Sequence, residues 1–375
     1  MRIFLFLIAV AASAASFAQL PHPPAPAISA RSFLLLDVQS RQELAGQKSD
    51  ERVEPASLTK LMTAYLTFAA LKQKQIQSTQ VVPVSERAWK IEGSRMFIEP
   101  GKPVTVDELM RGMIVQSGND ACIALAELIA GSEEAFAQMM NAEAARLGMK
   151  DSNFRNSTGL PDPKHYSTAR DLALLAVAII RDFPDYHPLY AMKEFRYNNI
   201  AQANRNRLLW SDPTVDGMKT GYTENAGYCL ITSAKRGERR LISVVLGTAS
   251  ESARAAESQK LLNYGFQFYD SVKLYSKSQP VATLQVWKGA NNSVKAGFVD
   301  DLYVSVPKGQ ADKIKANLES QQPLLAPVAA GRKIGVMKLL IDGKPYTELA
   351  VVALEDVAVA GILGRGWDSI RLLFK

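Results

Sequence analysis

Two cysteines and three histidines are all that this chain of 375 residues contains. Two Cys cannot build a disulfide framework, and three His supply a histidine-based metal centre or triad poorly. Low-complexity tracts and internal repeats are missing too, which excludes repeat arrays and collagen-like chains. A hydrophobic fraction of 47% with 22% charged residues excludes intrinsic disorder. Beyond the first eighteen residues no run of ~18 apolar residues occurs, so nothing in the remainder reads as a membrane span. Neither sign of charge dominates: 44 Lys+Arg stand against 37 Asp+Glu, for a net charge of +7. That mild basicity suggests an anionic neighbour such as a membrane surface, a cell-wall polymer or nucleic acid, without choosing among them.

The two ends carry readable segments. Residues 1–18 combine Arg2, an apolar run from Ile3 to Ala15 and the small-residue end Ser16-Phe17-Ala18, the pattern of a cleaved secretory signal; an N-terminal membrane anchor is the other reading. Arg2 is the one charge this segment would take with it, so the rest stays basic. Residues 19–30 hold Pro21, Pro23, Pro24 and Pro26 and suit an extended leader. At the other end, Leu363, Trp367, Ile370 and Phe374 share one helical face flanked by Arg365, Arg371 and Lys375. A basic, Trp-bearing terminal helix of this kind lies in a lipid interface or docks on the protein's own core. Cys122 and Cys229 sit in apolar stretches more than a hundred positions apart and read as two buried thiols, although an exported chain could pair them.

Between the ends, Arg31–Val38 reads as a strand with a second near Gln42–Gln47, and Pro55–Leu71 as a nearly uncharged, buried helix. Further helices are expected over Asn119–Ala130, closed by Gly131, over Ser132–Leu147, closed by Gly148, and over Thr168–Arg181. Then come strands over Val215–Thr220, Gly227–Ser233 and Leu241–Leu246, followed by a helix from Arg254 to Phe268. Strands at both ends of this stretch assemble one mainly antiparallel sheet flanked by helices, an α/β domain over residues 31–275. Short β-type runs over residues 276–357 (Val281–Trp287, Leu302–Val306, Lys333–Leu340, Ala350–Leu354) indicate a small all-β domain. Residues 358–375 hold the amphipathic tail.

Three short motifs could carry chemistry. Ser57-Leu-Thr-Lys60 puts a hydroxyl and an amine on one helical face, where a lysine whose pKa is lowered by burial can take the serine's proton. Ser117-Gly-Asn119 offers a hydroxyl and an amide just before an apolar helix. Lys219-Thr-Gly221 follows a strand-like run, with Gly221 leaving room for a substrate to approach the backbone. Taken singly, each has an ordinary structural reading: a helix cap with a solvated lysine, an Asn cap, a charged hairpin edge.

Together, in this order, the motifs resemble the penicillin-recognising serine acyltransferases. The resemblance is to the low-molecular-mass penicillin-binding proteins, the serine-type D-alanyl-D-alanine carboxypeptidases of the penicillin-binding protein 5/6 kind. It extends to Pro55-Ala-Ser-Leu-Thr-Lys60, Gln116-Ser-Gly-Asn-Asp-Ala-Cys122, Ser167-Thr-Ala-Arg-Asp171, Asn204-Arg-Asn206, Val215-Asp-Gly-Met-Lys-Thr-Gly221 and Leu261-Leu-Asn-Tyr-Gly-Phe266. It covers roughly residues 30–375.

The resemblance implies a penicillin-binding/β-lactamase-like fold and removal of the terminal D-alanine from peptidoglycan stem pentapeptides through an acyl-enzyme, with β-lactams as covalent inhibitors. Ser57 would be the nucleophile and Lys60 its base. Backbone N–H groups of Ser57 and Tyr222 would form the oxyanion hole. Lys219 would raise the local positive potential, Thr220 and Arg254 would bind the substrate carboxylate, and Ser117 and Asn119 would relay a proton and hold the substrate amide. Arg205 and Asp171 would support them. No cofactor, metal or nucleic acid is implied. The location implied is the periplasmic face of the inner membrane, with peripheral attachment through the terminal helix.

One departure stands out: Tyr222 follows Lys-Thr-Gly where close relatives carry histidine, which bears on pH dependence and deacylation. No Glu stands in a motif like that of class A β-lactamases, so rapid penicillin hydrolysis is not expected. A DD-endopeptidase that cuts crosslinks, or a non-catalytic wall-binding scaffold, are the alternatives to a carboxypeptidase.

Overall fold

A computed structural model describes residues 24–372 of the chain, which divide into two compact units, Pro24–Ser271 and the segment from Val272 onward. The expected signal, the first part of the proline-rich leader and Phe374 of the tail lie outside the described residues.

The first unit is built on a five-stranded antiparallel sheet. Its order is Glu43–Gln47, Ser32–Asp37, Arg239–Thr248, Gly227–Arg236 and Val215–Thr223, so strands from both ends of the unit meet in it. Ser32–Asp37 is buried along its whole length, which explains its unbroken apolar run. Because successive side chains point to opposite faces, Leu34 and Leu36 join the larger helical core, while Phe33 and Leu35 pack with Leu261 and Leu262 of the Glu251–Phe268 helix. The sheet is therefore covered on both faces.

On the larger side the Lys60–Lys72 helix runs through the core, buried without a break from Lys60 to Phe68. The expected helix over Pro55–Leu71 thus splits: a 3₁₀ turn, Ala56–Thr59, comes first and the α-helix begins at Lys60. The Asn119–Ala130 and Glu133–Leu147 helices end in Gly131 and Gly148, both left-handed (φ 78° and 81°), a conformation that glycine adopts without a Cβ clash. Ser132, Thr168 and Ser250 cap the N-termini of the Glu133–Leu147, Ala169–Asp182 and Glu251–Phe268 helices, each side chain accepting a backbone N–H three residues on. Ser250 corrects one boundary: the last helix of this unit starts at Glu251, a turn before Arg254.

The second unit is a six-stranded sheet in the order Ile314–Ser320, Lys333–Ile341, Lys344–Ala353, Ser293–Gly297, Pro280–Trp287 and Leu324–Leu325. Leu302–Pro307 pairs separately with Tyr269–Tyr275, the strand along which the chain passes from one unit to the next. Val294, Val306, Ile334, Ile341 and Val351 lie at its centre. A helix over Ile362–Leu372 closes the described chain. It is fastened to this unit: the Asp368 carboxylate accepts the Lys288 N–H at 2.6 Å, and the Arg371 guanidinium lies 5.6 Å over the Trp287 ring. Ile362 and Trp367 remain 80% and 64% exposed. Among the described residues no helix is long and apolar enough to cross a membrane.

Candidate active site

Ser57 lies in the 3₁₀ turn, and the α-helix beginning three residues later carries Lys60 beneath it. The Lys60 ammonium donates to the Ser57 hydroxyl at 3.0 Å, to Asn119 Oδ1 at 2.7 Å and to the Thr158 carbonyl at 2.6 Å. Only 2% of Lys60 is exposed, and burial pulls its pKa down to about 8, with the Arg205 charge acting in the same direction. This is the condition under which an amine can serve as a base near neutral pH.

Two close approaches hold the turn. Gly159, at φ +85°, passes so near Ala56 that an added Cβ would fall 1.8 Å from its carbonyl oxygen; the Asn156 carboxamide accepts the N–H groups of Thr158 and Gly159 and so forms that bend. On the other side Gly221 brings the Val215–Thr223 strand against the turn, where a Cβ would meet Leu58 and the Pro55 carbonyl at 3.2 Å. Beneath the turn, Thr59 Oγ1 and His165 Nε2 are 2.9 Å apart, and burial pulls the His165 pKa down to about 4.

The second motif arrives on a different device. The Gly112–Gln116 segment forms a π-helical turn that ends in Ser117, itself left-handed at φ 67°. Ser117 Oγ accepts from the Lys219 ammonium at 2.9 Å, which links the second motif to the third. Lys219 is 3% exposed, and burial followed by the Lys60 charge pulls its pKa well down. Two buried amines near one another cannot both stay protonated cheaply, so one proton is loosely held.

A cleft of about 540 Å³ opens above these groups. Ser57, Ser117, Asn119, Thr220, Gly221, Tyr222, Arg205 and Arg254 all line it, so residues scattered over almost 200 positions converge there. Arg205 stands between two buried asparagines, Asn204 and Asn206, whose carboxamides donate to the Met192 and Gly217 carbonyls. Arg254 reaches in from the last helix of the unit, its guanidinium 3.4 Å from the Gly221 carbonyl and 5.6 Å over the Tyr228 ring. Tyr222 is half exposed and packs at 4.4 Å, ring centre to ring centre, on Tyr228.

Asp171 is not among the cleft-lining residues. Its carboxylate accepts the Asp151 N–H and the Ser152 hydroxyl, both at 2.8 Å; Ser152 in turn bonds Ser167, which pairs with Val53 just upstream of the Ser57 turn. Its support is indirect.

Sequence reasoning passed over several residues of the site. Asp120 accepts the N–H groups of Met96, Phe97 and Ile98 and shapes the rim loop that brings Arg95 and Phe97 to the cleft. Its position inside Gln116–Cys122 was the available signal. Thr158 contributes a carbonyl, for which a sequence holds no signal, and Glu251 and Tyr228 complete the rim. Cys122 and Cys229 are both buried and unpaired with each other. Among the described residues no group of three or more His, Cys, Asp or Glu could hold a metal ion.

The chain as a whole is similar to known proteins. Residues 18–250 match the family model for D-alanyl-D-alanine carboxypeptidase, and residues 269–359 match that for the C-terminal domain of penicillin-binding protein 5. The D-alanyl-D-alanine carboxypeptidase DacC of Escherichia coli (strain K12) is 42% identical over 99% of this chain and 94% of its own length. Penicillin-binding protein 5 from Haemophilus influenzae superposes with a TM-score of 0.84 at 40% identity, covering 91% of this chain and all of that one. Penicillin-binding protein D2 from Listeria monocytogenes, solved in its ampicillin-bound form, matches 65% of this chain at 29% identity and a TM-score of 0.60. A buried lysine bonded to Ser57, with a second buried lysine bonded to Ser117, thus sits in a chain that belongs to the D-alanyl-D-alanine carboxypeptidase family.

Proposed function

We propose that this enzyme removes the terminal D-alanine from peptidoglycan stem peptides and that penicillins acylate it at the same serine. The observation that carries the reading is the 3.0 Å contact between Ser57 and a buried Lys60 whose pKa lies near 8. Neutral Lys60 takes the Ser57 proton as Oγ attacks the carbonyl between the two D-alanines. The oxyanion that forms is met by the backbone N–H groups of Ser57 and Tyr222, each such donor being worth ~3 kcal/mol. As the C–N bond breaks, the proton passes to the leaving amine, with Ser117 as relay, and D-alanine departs. Water then attacks the acyl-enzyme and frees the serine.

Asn119 holds the substrate amide. Thr220 and Arg254 bind the terminal carboxylate, with Lys219 close by. An arriving carboxylate opposes the burial that pulls the Lys219 pKa down and so favours its charged form. Asp171 and Arg205 hold the surroundings in register.

A fluorescent penicillin is expected to label the enzyme covalently, and a stem pentapeptide to lose one D-alanine. Ser57→Ala should abolish both while the variant remains folded by circular dichroism; alanine release at the parental rate would refute the mechanism.

The same reading covers location. The chain is exported, and the terminal helix, with Trp367 and Ile362 exposed and Arg365 beside them, holds the enzyme on the periplasmic face of the inner membrane. Deleting residues 361–375 should release the enzyme from membranes without loss of activity on soluble peptide; undiminished sedimentation with membranes would mean that the helix only docks on the second unit.

A further inference from the structure

The cleft is strongly cationic at its rim. Among the described residues, Arg95, Arg205 and Arg254 line it, against a single carboxylate, Glu251. Glu251 is the first residue of its helix and Arg254 the fourth, so the i,i+3 spacing puts both on one face. Glu251 Oε1 lies 3.4 Å from the Arg254 guanidinium.

The two partners are unlike. The Arg254 side chain is 3% exposed, whereas that of Glu251 is 54% exposed. A guanidinium carries five N–H donors in a fixed fork, and the two side-chain hydrogen bonds of Arg254, to Gly221 and to Glu251, are at 3.4 Å, the loose end of the range. A buried cation so loosely held is poised for a better-fitting anion. Its present carboxylate partner can swing into water at little cost.

We propose that Glu251 is a specificity-determining residue that occupies Arg254 in the free enzyme and competes with the substrate's terminal carboxylate for it. This rests on the reading of Arg254 as the carboxylate anchor. A substrate with a free C-terminal carboxylate displaces Glu251 and feels its repulsion, which weakens ground-state binding. A substrate whose terminus is blocked has nothing to gain from Arg254 and meets no competitor. Glu251 thereby sets how strongly the enzyme distinguishes free chain ends from blocked ones. A half-exposed ion pair can move affinity by about two- to fivefold.

The test compares depsipeptides ending in D-Ala-D-lactate and in its methyl ester, whose ester bond keeps acylation measurable without the anchor. Active molecules are counted by fluorescent penicillin, so partial misfolding does not distort the constants. Glu251→Gln keeps side-chain length and removes the charge. It is expected to lower KM for the free carboxylate about two- to fivefold, to change kcat less than twofold, and to leave KM for the methyl ester where it was. High salt should shrink the difference.

If KM for the carboxylate is unchanged or rises in Glu251→Gln, while Arg254→Ala raises it selectively, the anchor stands and competition by Glu251 is refuted. If Arg254→Ala affects both substrates equally, the anchor reading falls and takes the proposal with it.

Discussion

The cores of the two units differ in what they enclose. Before Val272 the buried residues include Lys60, Asp120, His165, Asp171, Lys219 and Arg254; beyond it, Ser305 is the one buried polar residue among those described. Burying a charge is costly unless it is paired, and a sheet with an apolar centre is stable without any. Buried ionisable groups concentrated in the unit that holds the cleft, and missing from the described buried residues of the other, mark where the chain gives up stability for chemistry. The second unit needs only complementary packing.

The largest break in this comparison should come from Lys60→Ala. Acylation by penicillin at pH 7 is expected to fall by at least about 10³-fold. The parental enzyme should gain acylation rate as pH rises through about 8, because only about a tenth of Lys60 is neutral at pH 7. Stopped-flow acylation between pH 6 and 10 would show this, and a flat parental profile would contradict the assignment of Lys60 as base.

Acid should separate the units next. His165 is held neutral by burial, with a pKa near 4, while the unfolded chain takes up that proton near 6.5. Stability from this group is complete above pH 6.5 and is lost as pH falls to about 4, a change of about 3 kcal/mol. His187, which burial also pulls down, adds in the same direction. No histidine occurs after residue 187, so urea midpoints should show the first unit weakening in this window and the second holding. His165→Asn should flatten the loss; parallel weakening of both units would refute the assignment.

The smallest effect belongs to the apolar unit. Ile334→Val removes one methyl group from a fully buried site and should cost about 1 kcal/mol by thermal denaturation, with kcat on soluble peptide unchanged. A drop in kcat would mean that the second unit is not independent of the chemistry.

How much of this could be read beforehand depended on what kind of atom does the work. The spacing of Ser57 and Lys60 showed that the two side chains could touch, but their roles became legible only from the three motifs together, through the family resemblance. The Arg205 and Arg254 positions came from the family resemblance; nothing local marks either as facing a cleft. Thr158 was invisible, since it acts through a carbonyl that every residue has. Asp120 was hidden for a related reason: it acts on the N–H groups of a loop more than twenty positions earlier, and only the fold brings them together. In the second unit, Val281–Trp287 and Lys333–Leu340 were found from their apolar runs. Ile314–Ser320 was missed because its sequence, IKANLES, carries too few apolar residues to stand out, and pairing with Lys333–Ile341 decides its conformation.

The N-terminal strand waits a long time for its neighbour. Ser32 pairs with Leu246 and Asp37 with Leu241, so one side of Ser32–Asp37 cannot be hydrogen-bonded until some 200 further residues have been made. At a synthesis rate of roughly 5–20 residues per second, that delay is on the order of 10–40 s. Throughout it, the apolar Phe-Leu-Leu-Leu segment has only Glu43–Gln47 to pair with, and its other edge stays open.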